Sequence, residues 1–133
     1  MHNRVKELIN SNDRFAIHNG MRLIEVREGY AVSQMEIDEK HLNAAGVVQG
    51  GAIFSLADLA FGAASNSEGI LNLSLTANIT FVKPASKGTL RAYAKRISKN
   101  RKTSVYQIEV KDEEDNLIAT VQGVAYSKEK YIP

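Results

Sequence analysis

The sequence predicts an α+β fold, with one long apolar helix wrapped by a curved antiparallel sheet of about six strands. Three observations carry that expectation. AIFSLADLAFGAASNS (52–67) is apolar nearly all round, with Ile53, Phe54, Leu56, Leu59 and Phe61 set among alanines, so a helix there needs cover on most sides. Six other segments show the alternation, or the β-branched and aromatic composition, of strands. Their order is short helix, two strands, long helix, four strands, which keeps the strands in runs instead of alternating them with helices. The 133 residues, without internal repeat, low-complexity tract or linker, read as one domain over 1–133.

The elements follow in order. NRVKELIN (3–10) places Val5, Leu8 and Ile9 at helical spacing, predicting a short amphipathic helix over about 2–11. Phe15 to Met21 reads as irregular, with Asn19-Gly20 as a turn. MRLIEV and YAVSQMEI read as two strands joined in a hairpin at Glu28-Gly29. His41 to Val48 reads as a loop, and the long helix runs from Ala52 to about Ser67, with Gly69 as its stop. In LNLSLTANITFVK (71–83), Leu71, Leu73, Leu75, Ala77, Ile79 and Phe81 fall on one face and Asn72, Ser74, Thr76, Asn78 and Thr80 on the other. Pro84 ends that strand. TLRAYAKRI, TSVYQIEV and LIATVQGVAYS complete the sheet, separated by Ser98-Lys99-Asn100 and by Asp112 to Asn116.

Composition narrows the function classes. The chain is 44% hydrophobic and 24% charged, ordinary for a soluble globular protein. A formal charge of +2 is too small to argue for nucleic acid. The absence of Cys removes disulfides and thiolate chemistry. MHNRVKELINSNDRF lacks the apolar core of a signal peptide, and no run reaches the roughly 20 apolar residues of a membrane span. The expectation is a soluble, cytoplasmic protein without membrane or nucleic-acid partners. His2, His18 and His41 are not spaced as a metal site, and no phosphate loop, dinucleotide fingerprint or nucleophile elbow calls for a cofactor.

HLNAAGVVQGG (41–51) and the acid inside the helix raise the chemical question. Asp58 has two readings: a carboxylate on the one wet stripe of the helix or paired with a base, or a carboxylate held in a partly desolvated cleft as general base or nucleophile. Gly50 and Gly51 likewise mark either backbone permissiveness or a helix start whose amides a ligand oxygen can approach, an oxyanion hole. Eight residues separate Gly50 from Asp58, roughly 12 Å along one helix. Both groups must lie within about 3–3.5 Å of the reacting atoms of one carbonyl. If both act, they come from different chains, with two helices antiparallel across a two-fold axis and two equal sites.

HLNAAGVVQGG followed by FSLADLAFGAASNSEG, with the later NITFVKPASKGTLRAYAKRI and the final strand pair, resembles the hotdog-fold acyl-CoA thioesterases over residues 20–127. The likeness is to the PaaI-type branch, named for phenylacetyl-CoA thioesterase. It implies the hotdog fold, hydrolysis of acyl-CoA without a cofactor, sites at a dimer interface, and frequent tetramers. It also implies residue roles: Asp58 as catalytic acid, the Gly50 amide as oxyanion donor, Asn43 as the loop asparagine, and Ser74 as the strand hydroxyl near the water. Relatives commonly carry His before Gly-Gly, where this chain has Gln49. Gln cannot change protonation, but its amide can donate a hydrogen bond to the thioester or orient the loop. Ser74 takes part only if the polar face of its strand turns towards the cleft or the strand bulges.

The implied substrate adds further candidates. Aryl-acetyl or medium-length acyl groups would meet Gly51, Phe54, Leu59 and Phe61, each of which also suits plain core or backbone roles. The CoA phosphates need cations, and Lys83, Lys99, Arg101 and Lys102, with Lys87 and Arg96 beyond them, stand against the alternative of a solvated, lysine-rich sheet edge. His41 reads as an orienting residue. Two other functions fit the same residues: a hotdog enoyl- or hydroxyacyl-CoA (de)hydratase, which would want a catalytic His, and a non-catalytic acyl-CoA-binding module.

Overall fold

Two short helices, α1 (His2–Asn12) and α2 (Arg14–His18), precede a β-hairpin of β1 (Met21–Arg27) and β2 (Tyr30–Glu36) in this computed structural model, which describes residues 1–133. A 3-10 turn at Glu39–His41 leads to α3 (Gly50–Ser65). Four strands follow: β3 (Ile70–Phe81), β4 (Thr89–Lys99), β5 (Thr103–Lys111) and β6 (Leu117–Tyr131). The sheet runs β1-β2-β4-β5-β6-β3, antiparallel at every step. α3 touches all six strands, so the sheet wraps it as its apolar composition requires.

Small residues let the sheet approach the helix. Ala31 faces Ala94 and Ser33 faces Ala92 across β2 and β4, all buried beneath α3. The Ser33 hydroxyl donates to the Leu56 carbonyl at 2.7 Å, satisfying a polar group that burial would otherwise penalise. On β6, a Cβ at Gly123 would stand 2.7 Å from the Phe61 ring, so only glycine fits there. Phe61 itself packs against Tyr106, ring centroids 5.5 Å apart, and belongs to the core.

Three expectations need correction. Residues 14–18, read as irregular, form α2. Asp13 caps that turn by accepting from the Ala16 N–H at 3.0 Å, and a five-residue helix is too short to show a period. α3 starts two residues earlier than Ala52, at Gly50, because Gln49 serves as its N-cap. The uniform alternation of β3 is broken: Ser74 pairs with Ala125 but Thr76 pairs with Val124, leaving Leu75 as the extra residue of a β-bulge. Paired residues share a face, so Ser74 lies on the same face as Ala77, Ile79 and Phe81, the face towards α3, while Leu73 pairs with Tyr126 on the other.

The two sheet edges differ. At β1, a bulge between Leu23 and Glu25 is filled by Asn10 of α1, whose amide donates to the Leu23 carbonyl (3.0 Å) and accepts from its N–H (2.8 Å). The β3 edge has no cover, and Leu73, Leu75 and Phe81 are each more than half exposed. No helix is long and apolar enough to cross a membrane.

Candidate active site

The loop before α3 is built to present one amide. The His41 ring is buried, accepting from the Asp38 N–H at Nδ1 (2.9 Å) and reaching the Asn19 carbonyl with Nε2 (2.8 Å), partners that assign the Nε2–H tautomer and leave no free nitrogen. The His41 carbonyl accepts from the Gln49 N–H at 2.8 Å. Asn43 turns the loop by accepting from the Ala45 N–H (2.9 Å) and Val47 N–H (3.3 Å), which leaves its side-chain NH2 without a partner. With Gln49 as N-cap, the four N–H groups without an i−4 acceptor are those of Gln49, which donates to His41 as above, Gly50, Gly51 and Ala52. Ala52 donates to the Gln49 carbonyl, which also accepts the first regular helical bond from Ile53, and Gly51 donates to Gln49 Oε1 at 2.5 Å. Of the four, only the Gly50 N–H is unpartnered.

A side chain at either glycine would crowd this arrangement. A Cβ on Gly51 would stand 2.7 Å from Gln49 Oε1, displacing the cap. A Cβ on Gly50 would come to 3.0 Å from the Phe81 ring. Gly50 opens into a cavity of about 390 Å³ lined by Val47, Val48, Ile53, Phe81, Val82 and Lys83, among others.

Asp58 lies two turns further along α3, on an uncovered stripe with Gly51, Ser55 and Gly62, none of which is buried. It has no ion-pair or hydrogen-bond partner, which removes the reading in which a basic side chain holds it. Its carboxyl reaches solvent in the single chain but sits among apolar side chains. Burial first, and the negative charge of Asp13 second, push its pKa above the ordinary aspartate value. Its cavity, about 370 Å³, is lined by Ile9, Asp13, Phe15, Ala16, Met21, Phe54 and Leu59 with neighbouring α3 residues. The two cavities have no residue in common.

A sequence model described as the thioesterase superfamily matches residues 45–119, which holds the N-terminus of α3, Asp58 and β3. The chain belongs to the thioesterase superfamily. This thioesterase is 44% identical to a putative esterase of Archaeoglobus fulgidus, over 98% of this chain and 85% of that one. It is 34% identical to the acyl-coenzyme A thioesterase PaaI of Escherichia coli, over 86% and 83% of the two chains. The solved structure of the E. coli PaaI protein superposes with a TM-score of 0.94 at 30% identity, covering 98% of this chain and 95% of that one. The fold is therefore the hotdog fold of the PaaI-like branch, and the chemistry is thioester hydrolysis.

The remaining candidates of the thioesterase fall into groups. Phe54, half-buried, and Leu59, buried, line the Asp58 cavity. Ser74 is exposed on the α3-facing side of β3. Lys83 lines the Gly50 cavity. Lys99 and Arg96 are tied to Glu68, at 3.0 and 2.5 Å, and Arg101 and Lys102 to Glu129, at 3.7 and 3.3 Å; all six line or flank a third cavity of about 360 Å³ beyond the C-terminal end of α3. Lys87 is exposed. No three His, Asp or Glu side chains gather as a metal site would require. Asp13 and Phe15, which enter the Asp58 cavity, were missed by sequence reasoning. The available signal was an Asp placed to cap a turn three residues ahead of Ala16.

Proposed function

We propose that the protein hydrolyses acyl-CoA thioesters in a cleft shared by two copies, with Gly50 of one chain facing Asp58 of the other. The observation that carries this reading is the single unpartnered amide of α3, set in a cavity separate from that of the acid. The thioester oxygen takes a hydrogen bond from the Gly50 N–H at the positive end of the α3 dipole, where negative charge develops as the carbon turns tetrahedral. Asp58 of the facing chain deprotonates water or attacks the carbonyl itself. A carboxyl with a raised pKa is the stronger base for either step.

Gln49 fills the family's usual His position as cap and donor together. Its oxygen is committed to Gly51, while its NH2, like that of Asn43, has no partner and is available to the thioester or the water. The thiolate leaves readily without a proton donor, so Gln serves. Ser74, on the α3-facing side of β3, holds the water. Gly51, Phe54 and Leu59 border the acyl group, of aryl-acetyl or medium-chain class. Lys83, Lys99, Arg101 and Lys102 neutralise the CoA phosphates.

The open edge of β3 supports a two-fold dimer in which β3 pairs with its copy and the sheets become continuous. Such pairing would cover more of Leu73 and Leu75, which are 52% and 58% exposed, each gaining less than the roughly 1.5–3 kcal/mol of a fully buried leucine. The uncovered Gly51–Ser55–Asp58–Gly62 stripe supports the approach of a second α3. The proposal includes one domain over 1–133 and assembly as a dimer or a pair of dimers. The test is a panel of acyl-CoAs, phenylacetyl-CoA among them, followed by release of free thiol. Turnover abolished in Asp58→Ala is the expected result. Binding without turnover, or water addition to an enoyl-CoA without thiol release, would overturn it.

A further inference from the structure

The corner between α1 and α2 brings a second carboxylate to the acid. Asp13 ends α1, donating its N–H to the Ile9 carbonyl at 2.9 Å, and begins α2, accepting from the Ala16 N–H with Oδ1 at 3.0 Å. That double anchoring fixes the side chain, and its second oxygen makes no hydrogen bond. Asp13 lines the same cavity as Asp58. The groups facing Asp58 can be taken element by element: α1 brings Ile9, α2 brings Asp13, Phe15 and Ala16, β1 brings Met21, and α3 brings Phe54, Ser55, Leu59, Gly62 and Ala63. Asp13 is the one charged group among them, and no Lys, Arg or His offsets it.

A fixed negative charge beside an unpaired carboxylate, in a mostly apolar cavity, disfavours the ionised form of its neighbour. In hydrolysis Asp58 gives up its charge whichever route operates. As a base it takes a proton from water, and the water oxygen bonds to the carbonyl carbon. As a nucleophile it forms an anhydride while the thiolate leaves. Either way negative charge moves away from Asp13, towards the thioester oxygen or the sulfur.

We propose that Asp13 is a positioning residue for the hydrolysis, its anchored charge lowering the barrier for the step in which Asp58 is neutralised. This rests on the assignment of Asp58 above. The same geometry gives α2 a purpose beyond packing, since a five-residue helix holds the charge in place over the site.

The test compares Asp13→Asn with the wild type and with Asp58→Asn, following thiol release from an acyl-CoA across acid to neutral pH. Asn caps a helix about as well as Asp, so the turn survives and only the charge is lost. The expected result for Asp13→Asn is an acid limb of the kcat profile displaced to lower pH. Its kcat at neutral pH should fall roughly threefold to tenfold, short of the 10²–10⁴-fold typical of a general acid–base group itself. KM and the melting temperature stay near wild type, and Asp13→Glu, which keeps the charge but not the Asp cap, recovers the acid limb only in part. An acid limb unmoved in Asp13→Asn, with Asp58→Asn inactive, overturns the role of Asp13 and leaves the catalytic reading standing. Activity retained by Asp58→Asn overturns the catalytic reading first, and the role of Asp13 with it.

Discussion

At the scale of the residue, the proposed oxyanion donor is Gly50, and two substitutions separate its two properties. Gly50→Ala keeps the N–H and adds a Cβ that the Phe81 ring must move to accept. Gly50→Pro removes the N–H at a position where a helix tolerates proline, and Gln49 already has the extended conformation (φ −62°, ψ 135°) that a following proline demands. Thiol-release assays should show Gly50→Pro losing roughly 10²-fold or more in kcat, the scale of one oxyanion donor. Gly50→Ala should lose less. Equal losses would assign the glycine to sterics alone. Asp58 carries a second expectation. Because its folded-state pKa is raised, the folded chain binds the proton more tightly than the unfolded chain, so this group costs stability above that pKa and the cost fades as pH falls through it. Asp58→Asn should therefore melt no lower than wild type at neutral pH while losing turnover, with the difference closing in acid. An acid in an apolar helix and a paired glycine were visible in the sequence because both break a local rule. The one free amide was not, since it depends on where Gln49 folds its side chain.

At the scale of elements, α3 was legible from composition and its partner strands from alternation, but the bulge in β3 was not. Ser74 alternates cleanly with its neighbours, and only the pairing with β6 turns it inward. α2 was illegible for a different reason, its length. Packing between elements sets two expectations. Gly123→Ala drives a methyl into the Phe61 ring and should lower stability by about 1–3 kcal/mol in denaturant unfolding. At the far end of α3, the hydrogen bond from Arg96, and then Lys99, holds the Glu68 carboxyl below the ordinary range. A depressed acid contributes stability that is present above its unfolded pKa and lost as pH falls through its folded value. Glu68→Gln should cost about 0.5–1 kcal/mol at neutral pH and nothing in strong acid. The tie also explains why the cations of that cavity were hard to rank by sequence: a lysine in a turn does not reveal that a glutamate thirty-one residues away holds it.

For the whole molecule, the proposed function requires a second copy to complete each site. One sheet edge is filled by Asn10, while the other is bare and exposes Leu73, Leu75 and Phe81, the asymmetry on which the proposed dimer rests. Gly50 and Asp58, the proposed catalytic groups, are two turns apart on one rod and open into separate cavities. The proposed second copy could be argued from spacing before any coordinates. The surface that would receive it could not, because an exposed leucine looks the same in sequence as a buried one.

Mixing two inactive variants tests this most directly. In the proposed dimer, Gly50→Pro and Asp58→Asn chains each lack one member of every site. Unfolded together and refolded at equal concentrations, they form mixed dimers. If the sites are shared, each mixed dimer has one intact site, built from the Asp58 of one chain and the Gly50 of the other, and the mixture recovers about a quarter of wild-type thiol release. If Gly50 and Asp58 of the same chain serve one thioester, every site in every dimer stays defective, and the mixture remains as inactive as its components.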